Sequence, residues 1–163
     1  MTELYTGIKV LEVKQEIIEN LNKLGEIEFW DDKEKLYENQ YLVIKEPEKK
    51  VKTILGRFNG TKVHILPSTL SACRIAARNK EQMFALDALL DDNIGVVVLT
   101  GRAGTGKTLL TLAAAIQKFE ENKYKKIISH LEGELEQTVK EHGIDAVYTG
   151  GGANDAALSR LSE

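Results

Sequence analysis

A single cysteine, Cys73, stands among 163 residues, so no disulfide within the chain is available and a disulfide-stapled secreted scaffold is excluded. The three histidines, His64, His130 and His142, are scattered and offer no zinc-ligand spacing. With only 2 prolines, 42% hydrophobic and 29% charged residues, the chain has the composition of a globular protein and not of a disordered one. Long apolar runs are missing as well: Val96 to Leu99 and Leu112 to Ile116 fall far short of the roughly 20 residues that span a bilayer. The opening residues, MTELYTGIKV, carry polar and acidic groups where a signal peptide has basic and then apolar regions. These absences predict a cytoplasmic chain with no membrane span and no metal cage. At about 150 residues per domain, the length suits one domain, or one small domain and part of another.

What is present is unevenly charged. The net charge of -3 hides a basic middle: residues 41 to 80 carry 9 basic and 2 acidic groups, whereas residues 1 to 40 carry 5 and 10. A positive segment of this kind is a candidate footprint for RNA. The alternative is that Lys45, Lys49, Lys50, Lys52 and Lys62 solubilise edge strands and pair with the acidic ends.

Val13, Ile17, Leu21 and Leu24 recur at helical spacing before Gly25 and predict a helix over residues 12 to 24. Tyr41 to Lys45, Val51 to Phe58 and Thr61 to Leu66 have the pattern of short strands, and Asn59-Gly60 predicts a hairpin between the last two. This N-terminal part is therefore expected to be a helix followed by a small, basic, antiparallel β meander, with a boundary near residue 67 at Pro67-Ser68-Thr69. A short helix follows from Asn79 to Asp92. The β-branched run Ile94 to Thr100 predicts a strand buried on both faces, and Leu109 onwards predicts a helix. Lys126 to Ser129 is a candidate second parallel strand, and 131 to 142 a charged helix. The fold class expected is α/β, a partial phosphate-loop type of parallel sheet over residues 68 to 163.

Between the predicted strand and helix, Gly101-Arg102-Ala103-Gly104-Thr105-Gly106-Lys107-Thr108 satisfies the phosphate-loop pattern G-x-x-x-x-G-K-[ST]. Glycines let successive backbone N–H groups turn inward on phosphate oxygens, the helix dipole points the same way, and the lysine adds a point charge. Thr108 supplies a hydroxyl suited to Mg²⁺, and Lys107 would stabilise charge on a transferring phosphoryl group. The residues 101 to 108 thus form the candidate site for ATP and Mg²⁺, with Lys107 and Thr108 in the catalytic roles. Gln82, just upstream, has two readings: its amide matches the edge of adenine, or it completes a capping box with Asn79. Phe29, Trp30, Tyr37 and Tyr41 could stack on bases or form the core of the meander. No apolar run after residue 129 ends in the acidic residue that hydrolysis requires.

The stretch RNKEQMFALDALLDDNIGVVVLTGRAGTGKTLLTLAAAIQK resembles the start of the ATPase domain of the PhoH-like family, relatives of superfamily-one helicases. Upstream, YTGIKVLEVKQEIIENLNKLGEI, NQYLVIK and LGRFNG are similar to the connector that joins a PIN nuclease domain to that ATPase. The resemblance covers roughly residues 1 to 129. It implies ATP phosphates and Mg²⁺ at Gly101 to Thr108, adenine at Gln82, ATPase activity and a link to RNA metabolism. The nuclease carboxylates have no counterpart in these residues, so no nuclease activity is implied. Residues 130 to 163 depart from the family pattern, which leaves a fragment, a truncated copy or a divergent protein open. A different class of protein would also fit: a non-hydrolysing nucleic-acid or protein-interaction module whose nucleotide site is vestigial or a switch. A homo-oligomer is a further expectation, because an incomplete sheet leaves an edge.

Overall fold

The computed structural model describes residues 7–28, 35–47, 53–124, 129–130 and 147–148. The chain divides into two compact units, Met1–Thr69 and Leu70–Glu163. The described parts are mixed α/β.

The first unit is a five-stranded sheet with one helix. Strands β1 (Ile8–Glu12), β2 (Glu26–Glu28), β3 (Tyr41–Lys45), β4 (Ile54–Phe58) and β5 (Lys62–Ile65) lie in the order β1-β3-β4-β5-β2. β1 pairs parallel to β3 and every other pair is antiparallel. Helix α1 (Gln15–Leu24) carries the chain from one edge strand, β1, to the other, β2. The expected helix therefore starts three residues later than its apolar spacing suggests, and it connects two strands of the sheet instead of preceding a separate meander. Its buried face is rotated from the expected stripe: Ile18 and Leu21 are buried against Leu11, Val13, Leu42, Ile44, Ile54 and Val63, Ile17 is partly buried and Leu24 is exposed. Full burial of each large aliphatic side chain contributes about 1.5–3 kcal/mol, which is what holds a sheet this small together. Gly25 stops the helix at φ 78°, a left-handed conformation that costs glycine least, and its N–H donates to the Leu21 carbonyl at 2.8 Å.

The Asn59-Gly60 hairpin forms, but only Gly60 takes positive φ, at 96°. The Asn59 side chain does the rest by accepting from the N–H groups of Thr61 at 3.1 Å and Lys62 at 2.8 Å. Two of the basic residues behave as cross-strand pairs: Lys45 meets Glu12 at 2.9 Å and Lys62 meets Glu26 at 2.6 Å. The Lys62 ammonium holds the Glu26 carboxyl below the ordinary carboxylate range. Lys49, Lys50 and Lys52 lie outside the described residues, as do Phe29 and Trp30. Tyr41 is buried in β3, whereas Tyr37 is half exposed with the Lys35 ammonium 5.3 Å from its ring centre.

The second unit opens with a hairpin of β6 (Ser71–Ala72) and β7 (Ile75–Ala76), followed by helices α2 (Lys80–Leu90) and α3 (Lys107–Glu120). The hairpin turn places Cys73 at φ 45° and Arg74 at φ 65°, so both central residues are left-handed without a glycine. It is held down from outside: the Cys73 N–H donates to Gln117 Oε1 of α3 at 3.0 Å. Ala72, Leu86, Leu110, Ala113 and Ala114 form the core between hairpin and helices, small residues on α3 letting the elements approach closely. At the ends of the helices, Asp92 binds the ammonium of Lys118, itself buried, and that of Lys123 at 3.0 Å. Those two hydrogen bonds, Lys118 first, hold the Asp92 carboxyl below its ordinary range.

The segment expected as a doubly buried strand is different in the structure. Residues 94–100 pair with none of the described strands, and Val96 and Val98 are 81% and 77% exposed. β-branched residues favour extended backbone locally, but a strand becomes a ladder only when a neighbour supplies the complementary N–H and C=O groups. Beyond α3, β8 (Ser129–His130) pairs parallel with β9 (Val147–Tyr148). Ser129 is the end of the expected strand 126 to 129; the expected helix 131 to 142 lies outside the described residues.

Candidate functional site

The glycine loop follows segment 94–100 and ends at the first turn of α3. Three of its residues sit at positive φ: Gly101 at 148°, Gly104 at 76° and Gly106 at 84°. At Gly104 an added Cβ would meet nothing within 4 Å, so the demand for glycine there is conformational. At Gly106, also left-handed, a Cβ would lie 3.1 Å from Gln82 Nε2, and that amide would have to shift to admit it.

Lys107, the first residue of α3, turns its ammonium back over the loop. Nζ donates to the carbonyls of Gly101 at 3.0 Å and Arg102 at 2.6 Å, and to the Thr105 hydroxyl at 3.2 Å. That hydroxyl donates in turn to the Arg102 carbonyl at 2.9 Å. The lysine therefore gathers the loop around one positive charge. Arg102, Ala103 and Thr105 are exposed on the loop, and Thr108 is exposed in the first turn of α3. Gly106 caps the helix without a side-chain acceptor, and no acidic residue stands in the first turn. A helix start with these properties presents its positive end outward, which suits an anion.

Gln82 comes to the same place from α2. Asn79 caps that helix by accepting from the Gln82 backbone N–H at 2.8 Å, as a capping box requires. The Gln82 side chain, however, splits its two ends: Oε1 accepts from the Arg78 N–H at 2.8 Å, and Nε2 donates to the Thr105 carbonyl at 3.2 Å. One end completes the cap, displaced by one residue from the expected partner, and the other reaches the loop. The contact between α2 and the loop was not legible in the sequence, since nothing in the spacing of residues 82 and 105 marks it. Among the described residues no group of His, Cys, Asp and Glu side chains is placed to hold a metal ion. No helix among them is long and apolar enough to cross a membrane.

A mixed α/β chain in which a glycine loop, gathered on its own lysine, opens a helix and is braced by an amide from the helix before it defines the class to which this chain is compared. Residues 74–134, from β7 through the loop and α3, match the model of the family described as PhoH-like protein, and the chain belongs to the PhoH-like family. Protein PhoH2 of Bacillus subtilis is 32% identical over 162 residues, which cover 85% of this chain and 35% of that protein. Protein PhoH2 of Mycolicibacterium smegmatis is 42% identical over 64 residues, and that of Thermobispora bispora 40% identical over 76 residues. The chain spans 35%, 15% and 17% of the lengths of these three relatives. No solved structure matches the chain.

Proposed function

We propose that this chain is a cytoplasmic protein that binds ATP with Mg²⁺ at residues 101 to 108 and releases phosphate from it. The observation that carries the reading is the position of Lys107, whose ammonium binds the Gly101 and Arg102 carbonyls and the Thr105 hydroxyl at the uncapped start of α3. Phosphate oxygens are stronger acceptors than carbonyls, so a triphosphate would draw the ammonium from the loop while backbone N–H groups and the helix dipole stabilise the same charge. Thr108 would share in holding Mg²⁺, and the ion, when bound, neutralises phosphate oxygens. Gln82 would face the base. Of the nine basic residues between 41 and 80, Lys45 and Lys62 pair with Glu12 and Glu26, and RNA contact through this segment would rest on the others.

Calorimetric titration with a non-hydrolysable ATP analogue and Mg²⁺ tests the proposal. Lys107→Ala should weaken binding by roughly ten- to a hundredfold, the value of a charge-assisted hydrogen bond or two. Equal affinity in the variant and the parent would remove Lys107 from the site. Phosphate release by the parent chain, absent in Lys107→Ala, would show turnover; binding without release would favour the non-hydrolysing module.

A further inference from the structure

The Gln82 side chain bridges α2 and the glycine loop. Its amide is held at both ends by backbone: the Arg78 N–H fixes Oε1 at 2.8 Å, and Nε2 is aimed at the Thr105 carbonyl at 3.2 Å. A primary amide held at its carbonyl end cannot flip without losing that bond, so the direction of its N–H is set by α2. The receiving carbonyl belongs to the residue before Gly106, and the same Nε2 lies 3.1 Å from where a Gly106 Cβ would be. Thr105 is also the residue whose hydroxyl meets Lys107 Nζ at 3.2 Å and the Arg102 carbonyl at 2.9 Å. Backbone and side chain of one loop residue are thus pinned from opposite directions, by α2 and by the lysine. Behind this contact, Leu86 of α2 packs on Leu110, Ala113 and Ala114 of α3, so the two helices give the amide a fixed base.

We infer that Gln82 is a positioning residue for the glycine loop: it sets the Thr105-Gly106 peptide in the conformation that receives phosphate, whatever base the phosphate carries. This rests on the phosphate-binding reading above but differs from base recognition in what it predicts. A residue that only reads adenine leaves the affinity for a base-free polyphosphate unchanged. A residue that shapes the loop changes it.

Two variants test the amide, the first removing one end and the second both. Gln82→Glu keeps an acceptor for the Arg78 N–H, and so the α2 cap, while removing the donor to Thr105. Gln82→Met keeps the length of the side chain without adding charge and suits ligand binding. In the ligand-free chain, the backbone order parameters of residues 105 to 107 from ¹⁵N relaxation should fall in Gln82→Glu, because the Thr105 carbonyl has lost its donor, with those of Ala113 and Ala114 unchanged. In Gln82→Met, the affinity for magnesium tripolyphosphate should fall about five-fold, and those for ATP and GTP by at least as much. Unchanged tripolyphosphate affinity with weakened ATP would overturn the proposal and leave Gln82 as a base reader. Should the parent chain bind none of the three ligands, the nucleotide reading fails, and the order parameters of the ligand-free Gln82→Glu chain still decide: a fall confined to the loop upholds the positioning role, and unchanged values overturn it.

Discussion

Asp92 is a small residue with two obligations. It accepts from Lys118, whose side chain is 6% exposed, and from Lys123 at 3.0 Å, thereby joining the end of α2 to the end of α3. A buried ammonium is tolerable only while its carboxylate stays ionised. The lysines hold the Asp92 carboxyl below its ordinary range, so the folded chain binds its proton less readily than the unfolded chain does. Its contribution to stability is then complete above the ordinary aspartate value of about 4 and is lost as pH falls through the lower folded value. Asp92→Asn should lower the thermal midpoint at neutral pH, and the difference from the parent should shrink as both are acidified towards about pH 2. Melting curves across that range check it; a difference independent of pH would remove the carboxylate from the account. None of this was legible beforehand, because Asp92 in the sequence is one of two adjacent acids after a helix and its partners arrive 26 and 31 residues later. By contrast the turns at Gly101 and Gly106, both at positive φ, and the helix start at Lys107 were legible from spacing, because they reflect a local backbone requirement.

Elements follow the same division between local and distant causes. Helix α1 was legible because Ile17, Leu21 and Leu24 repeat at its period and Gly25 stops it, and Leu21 is fully buried while Leu24 is 63% exposed. β1 was not legible: the spacing assigns no element to residues 8–11, and what makes Ile8–Glu12 a strand is parallel pairing to Tyr41–Lys45, which lie beyond α1 and β2 in the chain. The β6 and β7 hairpin escaped notice for a related reason, since its turn places Cys73 and Arg74 where glycine or asparagine is expected, and α3 supplies the Gln117 carbonyl that anchors it. The contrast within α1 gives a direct test of the sheet core. Leu21→Ala should destabilise the chain by about 2–5 kcal/mol, the usual cost of an aliphatic cavity. Leu24→Ala should cost under about 0.5 kcal/mol. Urea unfolding followed by circular dichroism distinguishes them, and equal costs would mean that the helix does not pack by the face described.

For the molecule as a whole, the segment 94–100 marks where local sequence ceases to specify structure. Ile94 to Leu99 has the composition of a central strand, yet Val96 and Val98 lie in solvent and the described strands pair elsewhere. The glycine loop is nonetheless formed, because its support comes from α2 through Gln82 and from α3 through Lys107, and not from a ladder on the segment before it. Stability of the second unit should accordingly reside in the contacts among hairpin, α2 and α3. Replacing Val96 and Val98 together by serine should change the unfolding free energy by less than about 1 kcal/mol, as two exposed substitutions do. Leu86→Ala, at a position with no exposed surface, should cost about 2–5 kcal/mol. Amide exchange gives the same ordering independently: Val96 and Val98, outside any ladder, should exchange far ahead of Leu110 and Ala114 in α3. If the double valine variant proved as damaging as Leu86→Ala, those side chains would be covered by a neighbour in solution, and the segment would be a strand of a larger sheet.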